Sequence, residues 1–281
     1  MSSSALAQPG PHGLPMRFQT RKAGWSGYKL CGEDVKAPLH YISMKAKDRK
    51  TRQILQSTAH KKDKSPPLVT IQKPNSQDFN IVLHATGSNG RRTQDETVWM
   101  EYKDSRELNG KYIDFKYKET WDFNMRVGPQ GKQETFRWIK AEGACQELKT
   151  IYKGELPIVK AGMAREKSGR ITRLVSGHIL VRMNGKRINI QQGQEKERPL
   201  GFDKEGREIV ASCARGGSGW IGGTKMFFQF WGSGCTGELG EDFTRVAAMT
   251  GSALWQDLIL KEKAEAARQN AARQRQMNNR R

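Results

Sequence analysis

Short apolar segments alternate with polar ones over most of this 281-residue chain. Several of them alternate with a period of two, as in Thr97–Tyr102 and Thr135–Ile139, which is typical of strands that have one face in solvent. No helical period separates these segments, and turn-forming residues recur between them. The pattern therefore predicts antiparallel strands that form a sandwich or a barrel.

The turns support this prediction. Asn184-Gly185 between two apolar runs predicts a two-residue hairpin over Val181–Ile190, because a type I′ turn needs positive φ at both central positions. Asn109-Gly110 and Gly128–Gly131 predict further tight turns. The predicted strands are Tyr28–Gly32, Leu39–Ala46, Gln53–His60, Leu68–Lys73, Phe79–His84, Thr97–Lys103, Tyr112–Tyr117, Thr120–Val127, Glu134–Lys140, Glu147–Tyr152, Arg173–Met183, Arg187–Ile190, Glu208–Cys213 and Lys225–Trp231.

Val246–Gln256 breaks the pattern, because it carries no charge in a chain rich in lysine and arginine. As a helix it is apolar or small on every side, so we expect protein to enclose it. It is too short to cross a bilayer, which takes about 20 such residues. Glu238, Glu241 and Asp242 favour a helix start nearby, since acidic groups stabilise a helix N-terminus. Past Leu260 the helix becomes polar all round.

These elements predict a mainly β protein in which antiparallel strands, arranged as a sandwich or a barrel, precede a buried C-terminal helix. We expect a disordered tail over residues 1–16 and the strand-rich domain over 17–260. The buried helix is expected at about 238–260, and a basic, exposed helical tail at 261–281. No internal repeat and no shift in composition calls for a second domain.

Three segments carry a resemblance to a known fold: Pro38–Met44, Ser65–Leu68 and Gly237–Glu241 leading into the Val246–Trp255 helix. Together with the order of strands and terminal helix, they resemble the tubby C-terminal-like fold, which includes tubby proteins, LURP-one-related proteins and phospholipid scramblases. More narrowly, the chain is similar to a set of filamentous-fungal proteins with that fold, over roughly residues 17–261. The resemblance implies a closed antiparallel barrel of about 12 strands that encloses a C-terminal hydrophobic helix. By analogy with tubby proteins it also implies phosphoinositide binding through a basic cleft, although no motif places those binding residues here.

The net charge of +20 predicts attraction to polyanions. Residues 1–65 hold 13 basic and 4 acidic side chains, and residues 261–281 hold 7 and 2, so the charge is concentrated at the two ends of the chain. Two basic runs flank the predicted strand Gln53–His60 and would form one polybasic patch if that hairpin curls back. A solvated rim of the barrel is the alternative. The candidate residues for binding an anion or a lipid are Lys45, Lys47, Arg49, Lys50, Lys61, Lys62 and Lys64.

Two G-x-G-x-x-G matches, Gly217–Gly222 and Gly232–Gly237, raise the question of nucleotide binding. The second follows a strand and opens a helix, but no second parallel strand follows that helix, so a tight turn explains its glycines better. The first fits a flexible hairpin loop. The five histidines have no partner at metal-ligand spacing, the four cysteines form no C-x-x-C pair, and no G-x-S-x-G motif occurs. We therefore expect no catalytic residue, no metal and no cofactor.

Three functions follow. The first is a non-catalytic barrel whose basic face binds anionic phospholipid or phosphoinositide headgroups. The second is a nucleic-acid or acidic-protein binding module that uses the same surface, and the third is an enzyme whose site is not visible in the sequence. The sequence shows no signal peptide and no apolar span of 18 residues. We expect an intracellular protein with reduced thiols, in the cytoplasm or peripheral at a membrane, with the nucleus as an alternative.

Overall fold

A computed structural model gives the three-dimensional structure of the chain. The structure describes residues 14–23, 27–32, 36–47, 50–56, 67–75, 77–85, 94–104, 119–141, 147–148, 177–190, 198–215 and 226–278.

Twelve antiparallel strands form one closed barrel, which confirms the predicted fold class. Each strand pairs with its neighbours in the sequence, and β1 closes the ring by pairing with β12 through Phe18 and Phe228. Closure leaves no free sheet edge. The strands are β1 (Arg17–Lys22), β2 (Gly27–Cys31), β3 (Pro38–Lys47), β4 (Lys50–Leu55), β5 (Val69–Gln72), β6 (Phe79–Leu83), β7 (Glu96–Asp104), β8 (Glu119–Val127), β9 (Lys132–Ala141), β10 (Gly177–Arg182), β11 (Ile209–Arg215) and β12 (Met226–Phe230).

The period-two pattern separates the inside of the barrel from the outside. In β7, Val98 and Met100 are buried in the core, whereas Thr97 and Trp99 are exposed. Before β1, Leu14 is buried in the same core, and the carbonyl of Met16 accepts a hydrogen bond from Phe230.

A long helix fills the barrel. After the single turn α1 (Ser233–Thr236), helix α2 (Gly240–Asn278) passes inside the strands and contacts β4, β5, β6, β8, β10, β11 and β12. All eleven residues of Val246–Gln256 are buried, which confirms the prediction of an enclosed helix. At Gly251 the fit is close, because an added Cβ would lie 2.7 Å from the Phe228 ring.

The same helix continues without a break beyond the barrel. From Leu260 to Asn278, every side chain that the structure describes is exposed. We call Lys261–Asn278 the helical tail. At the other end α2 starts at Gly240, which has a φ of 86°, and Glu241 and Asp242 lie in its first turn.

Some local predictions were wrong. No strand forms at Arg187–Ile190, because β10 already pairs with β9 on one side and β11 on the other. Gly185 lacks the positive φ of a type I′ turn, and Arg187 makes only an isolated bridge to Arg207. Strand β4 starts before the predicted Gln53–His60, of which residues 57–60 lie outside the described residues.

Other predictions had mixed outcomes. Glu147 and Leu148 are helical where a strand was predicted. The turn at Gly128–Gly131 is confirmed, with positive φ at both glycines. The predicted strand Tyr112–Tyr117 and the Asn109-Gly110 turn lie outside the described residues.

Candidate functional site

The β3–β4 hairpin and the departing helix share one end of the barrel. Helix α2 begins beside the β8–β9 turn, where the Gly128 amide donates to the Leu239 carbonyl at 3.1 Å. It leaves at the opposite end, where Lys261 pairs with Glu119 at the start of β8. Because neighbouring strands are antiparallel, the β3–β4 connection lies at this second end as well. We call it the tail end, and the other one the turn end.

The strand register brings like charges together at the tip of the β3–β4 hairpin. Lys47 is opposite Lys50, and Lys45 is opposite Arg52. The next pair along the ladder, Met44 opposite Gln53, belongs to the inner face, since both side chains contact Gln256 of α2. Alternation therefore places all four basic positions on the outer face. We call Lys45, Lys47, Lys50 and Arg52 the basic hairpin.

Like charges directly opposite each other destabilise a strand pair. The register gives the basic hairpin two such pairs. A third pair, Arg21 opposite Lys29, lies on the outer face of β1 and β2, also near the tail end. Arg52, Arg21 and Lys29 were not among the predicted residues, because their pairing depends on the strand register and not on a local pattern.

Three residues of the predicted polybasic patch, Lys45, Lys47 and Lys50, lie in the described part of the hairpin. Arg49, Lys61, Lys62 and Lys64 lie outside the described residues, so that part of the prediction stays a prediction.

Acidic groups at the tail end are held in ion pairs. Asp257 lies 2.5 Å from Lys73, and Glu119 pairs with Lys261 at 2.9 Å and Lys140 at 3.6 Å. Burial alone would raise the pKa of Glu119, but the hydrogen bond from Lys261 and the charge of Lys140 lower it below its ordinary value. These carboxylates are thus occupied by lysines outside the basic hairpin.

The turn end is built differently, around a buried ion network. Arg182 bonds to Glu134, and its Nη1 donates to Glu238 at 2.7 Å and to Ser233 at 3.1 Å. The hydrogen bond with Arg182 lowers the pKa of Glu134, whose side chain is 1% exposed. This network fixes the segment that leads the chain into α2.

The second glycine motif belongs to the same segment. Gly232 has a φ of 45°, and an added Cβ would lie 2.4 Å from the Glu208 carboxylate. That carboxylate accepts a hydrogen bond from the Ser233 amide at 2.6 Å. The Glu208 carboxylate therefore occupies the Ser233 amide to which a phosphate would bind, and the glycines allow a tight turn. The first motif, Gly217–Gly222, lies outside the described residues.

One histidine shows the connectivity of a catalytic triad. His84 Nε2 lies 2.8 Å from Thr70 Oγ1, and His84 Nδ1 lies 3.0 Å from Asp95 Oδ2. This order of hydroxyl, imidazole and carboxylate can activate a nucleophile when substrate reaches the hydroxyl. Thr70 lies in the middle of β5 and is only 1% exposed, so a substrate cannot reach its hydroxyl. No motif in the sequence indicates this arrangement, because it depends on the β5–β6 register.

The remaining described histidines are structural. His178 is 2% exposed and packs against the edge of Trp121. Burial lowers its pKa to about 3, with a further contribution from Lys140. His40 Nδ1 lies 3.0 Å from the Gln56 carbonyl. His12 and His60 lie outside the described residues.

Among the described residues, no group of three or more histidine, cysteine, aspartate or glutamate side chains could hold a metal ion. Across the same ranges, no helix is both long and apolar enough to cross a membrane.

No protein-family profile, no curated protein and no solved structure matches the chain.

Proposed function

We propose that this protein is a non-catalytic, tubby-like barrel that binds anionic phospholipid headgroups, including phosphoinositides, through the basic hairpin. The observation that carries the proposal is the register of β3 and β4, which opposes Lys47 to Lys50 and Lys45 to Arg52 on the outer face. The tubby-like assignment is supported by the closed barrel around a C-terminal helix, the arrangement that the resemblance implied.

Headgroup phosphates suit the basic hairpin because they carry several negative charges that can meet its closely spaced cations. A lysine or arginine near an anionic membrane contributes about 1 kcal/mol to binding. The basic hairpin also loses the repulsion within its own pairs when an anion binds.

The filled interior supports a non-catalytic function. Helix α2 occupies the centre of the barrel, where an enzyme of this architecture would have its cavity. The strongest catalytic geometry in the described part of the chain, Thr70 with His84 and Asp95, has its hydroxyl buried.

Vesicle co-sedimentation tests the proposal. We expect binding to vesicles that contain phosphatidylserine or a phosphoinositide and none to phosphatidylcholine alone. The variant Lys45→Gln/Lys47→Gln/Lys50→Gln should bind about 100-fold more weakly, because it loses about 1 kcal/mol per charge. The matched control is Arg126→Gln/Lys186→Gln/Arg187→Gln, which removes three charges from exposed residues at the turn end and should bind normally.

Equal binding to neutral and anionic vesicles would refute the proposal, as would equal loss in the two variants. A second candidate function is binding of nucleic acid or an acidic protein by the same basic hairpin, since its charge ladder suits a phosphodiester backbone as well. A gel shift at two salt concentrations, run with wild type and with the three-lysine variant, separates the two, because a lipid-binding hairpin contributes nothing to the shift. Shifted nucleic acid that depends on the three hairpin lysines would favour the second candidate.

A further inference from the structure

The helical tail lies outside the core of the barrel and is rich in basic residues. It stands outside the barrel, and its described side chains are exposed on all sides. After Glu265 the chain contains no acidic residue. Arg268, Arg273 and Arg275 alternate there with alanine, glutamine and asparagine. A solvated helix usually mixes both signs of charge, whereas this stretch has an excess of cationic side chains.

The tail does not suit a membrane surface. Helices that lie in a bilayer interface present a face of large apolar side chains such as Trp, Phe and Leu. In the helical tail Met277 is the one large apolar residue by sequence. A coiled coil is disfavoured for the same reason, since its seam needs large apolar residues. The remaining partner for such a cationic helix is a hydrated polyanion.

The spacing of the arginines fits a nucleic-acid groove. Arg268 and Arg275 are seven residues apart, which is about two turns and 10 Å along the helix, so they share a face. Ala264 and Ala271 lie on that face as well, so the backbone between the arginines can approach a partner closely. The major groove of B-DNA, about 12 Å wide, admits an α-helix. Arginine pairs there with guanine, and asparagine or glutamine with adenine.

We propose that the helical tail is a DNA-binding helix that lies in the major groove of duplex DNA, with Arg268 and Arg275 on the face that enters the groove and Arg273, about 140° away round the helix, contacting a phosphate at the rim. This site is separate from the basic hairpin and goes beyond the proposed lipid binding. The structure supports it through the exposure of the tail, its continuity with a helix anchored inside the barrel, and its charge. The anchor holds the first turn of the tail and so reduces the cost of starting a helix.

Fluorescence anisotropy with the full-length protein and a labelled duplex of about 20 base pairs, two turns of DNA, is the test. If the three arginines neutralise three phosphates, affinity should fall about 40-fold between 50 and 200 mM salt. The variant Arg268→Gln/Arg273→Gln/Arg275→Gln should lose most of this binding and its salt dependence. Glutamine is a good helix former, so circular dichroism should show unchanged helix content. The turn-end variant Arg126→Gln/Lys186→Gln/Arg187→Gln is the control and should bind as wild type.

The proposal is overturned if the tail variant binds the duplex as tightly as wild type, or if the turn-end control loses as much. Equal affinity for duplex RNA would also contradict it, because side chains cannot read the deep major groove of A-form RNA. Tail-dependent binding to anionic vesicles without binding to DNA would assign the tail to a membrane instead. Failure of the lipid proposal leaves this test unaffected, since the basic hairpin stays intact in the tail variant.

Discussion

Helix α2 is one continuous helix in two environments. Inside the barrel, Val246–Gln256 contains no charged residue, and its residues are buried on every side. Outside, the helical tail carries charges, and its described side chains are in solvent. The first half is stabilised by the strands around it, whereas the second depends on intrinsic helix propensity and on its anchor. Secondary structure alone therefore says little about what a segment contributes: the inner half completes the core, and the outer half stays in solvent.

Truncation of a large side chain should give the largest difference in stability between the two halves of α2. Trp255 is 1% exposed and packs edge-on against Tyr28, whereas Met277 is 61% exposed. We expect Trp255→Ala to lower the free energy of unfolding by about 3–5 kcal/mol. Met277→Ala should change it by less than about 0.5 kcal/mol, because the site is at the surface. Urea denaturation of both variants measures the difference. Similar losses at the two positions would mean that the barrel does not enclose the inner half.

A buried hydrogen bond should give the next largest difference. The indole N–H of Trp138 donates to Thr250 Oγ1 at 2.9 Å inside the barrel. Thr250→Val keeps the volume but leaves that N–H without an acceptor, so we expect a loss of about 1–3 kcal/mol. In the tail, Asn270→Ala removes an exposed amide and should be nearly neutral. Thermal melts of both variants test this contrast. A neutral Thr250→Val variant would show that the bond contributes nothing to the packing of the helix.

The smallest expected effect is a dependence on pH. His178 has an ordinary pKa of 6.5 when unfolded and about 3 when folded, because burial disfavours its charged form. Between these values the unfolded chain binds a proton that the folded chain does not. The free energy of unfolding should therefore decrease as the pH is lowered below about 6.5, by up to about 1.4 kcal/mol per pH unit. The helical tail contains no histidine and should not contribute over this range.

Urea denaturation between pH 5 and 6.5 measures this slope above the range in which carboxylates titrate. His178→Gln should flatten it. A slope that persists unchanged in this variant would locate the titration at another group.

The contrast along α2 was largely predictable from the sequence. Val246–Gln256 is free of charge over three turns, and such a helix has no face for solvent. Period-two segments and turns predicted antiparallel strands in a sandwich or a barrel, whereas the closure that the structure shows was implied by the family resemblance. The Asn184-Gly185 turn misled the prediction because a local turn signal does not show that β10 already has two partners.

The candidate site was harder to predict, because it depends on strand register. Lys45 and Arg52 are seven residues apart, and nothing in their spacing alone places them opposite each other on the outer face. The position of the helical tail at the same end of the barrel depends on the direction in which α2 passes through it. Long-range pairing of this kind follows from the complete fold and not from a local pattern.

The central claim is that the inner half of α2 is the core of the barrel and the outer half is dispensable for folding. A pair of truncations tests it most directly, one ending at Arg245 and the other at Lys263, each followed by circular dichroism during urea denaturation. The account predicts no cooperative transition for the chain that ends at Arg245, and a transition close to that of the full chain for the one that ends at Lys263. Equally cooperative transitions in the two truncated chains would contradict it.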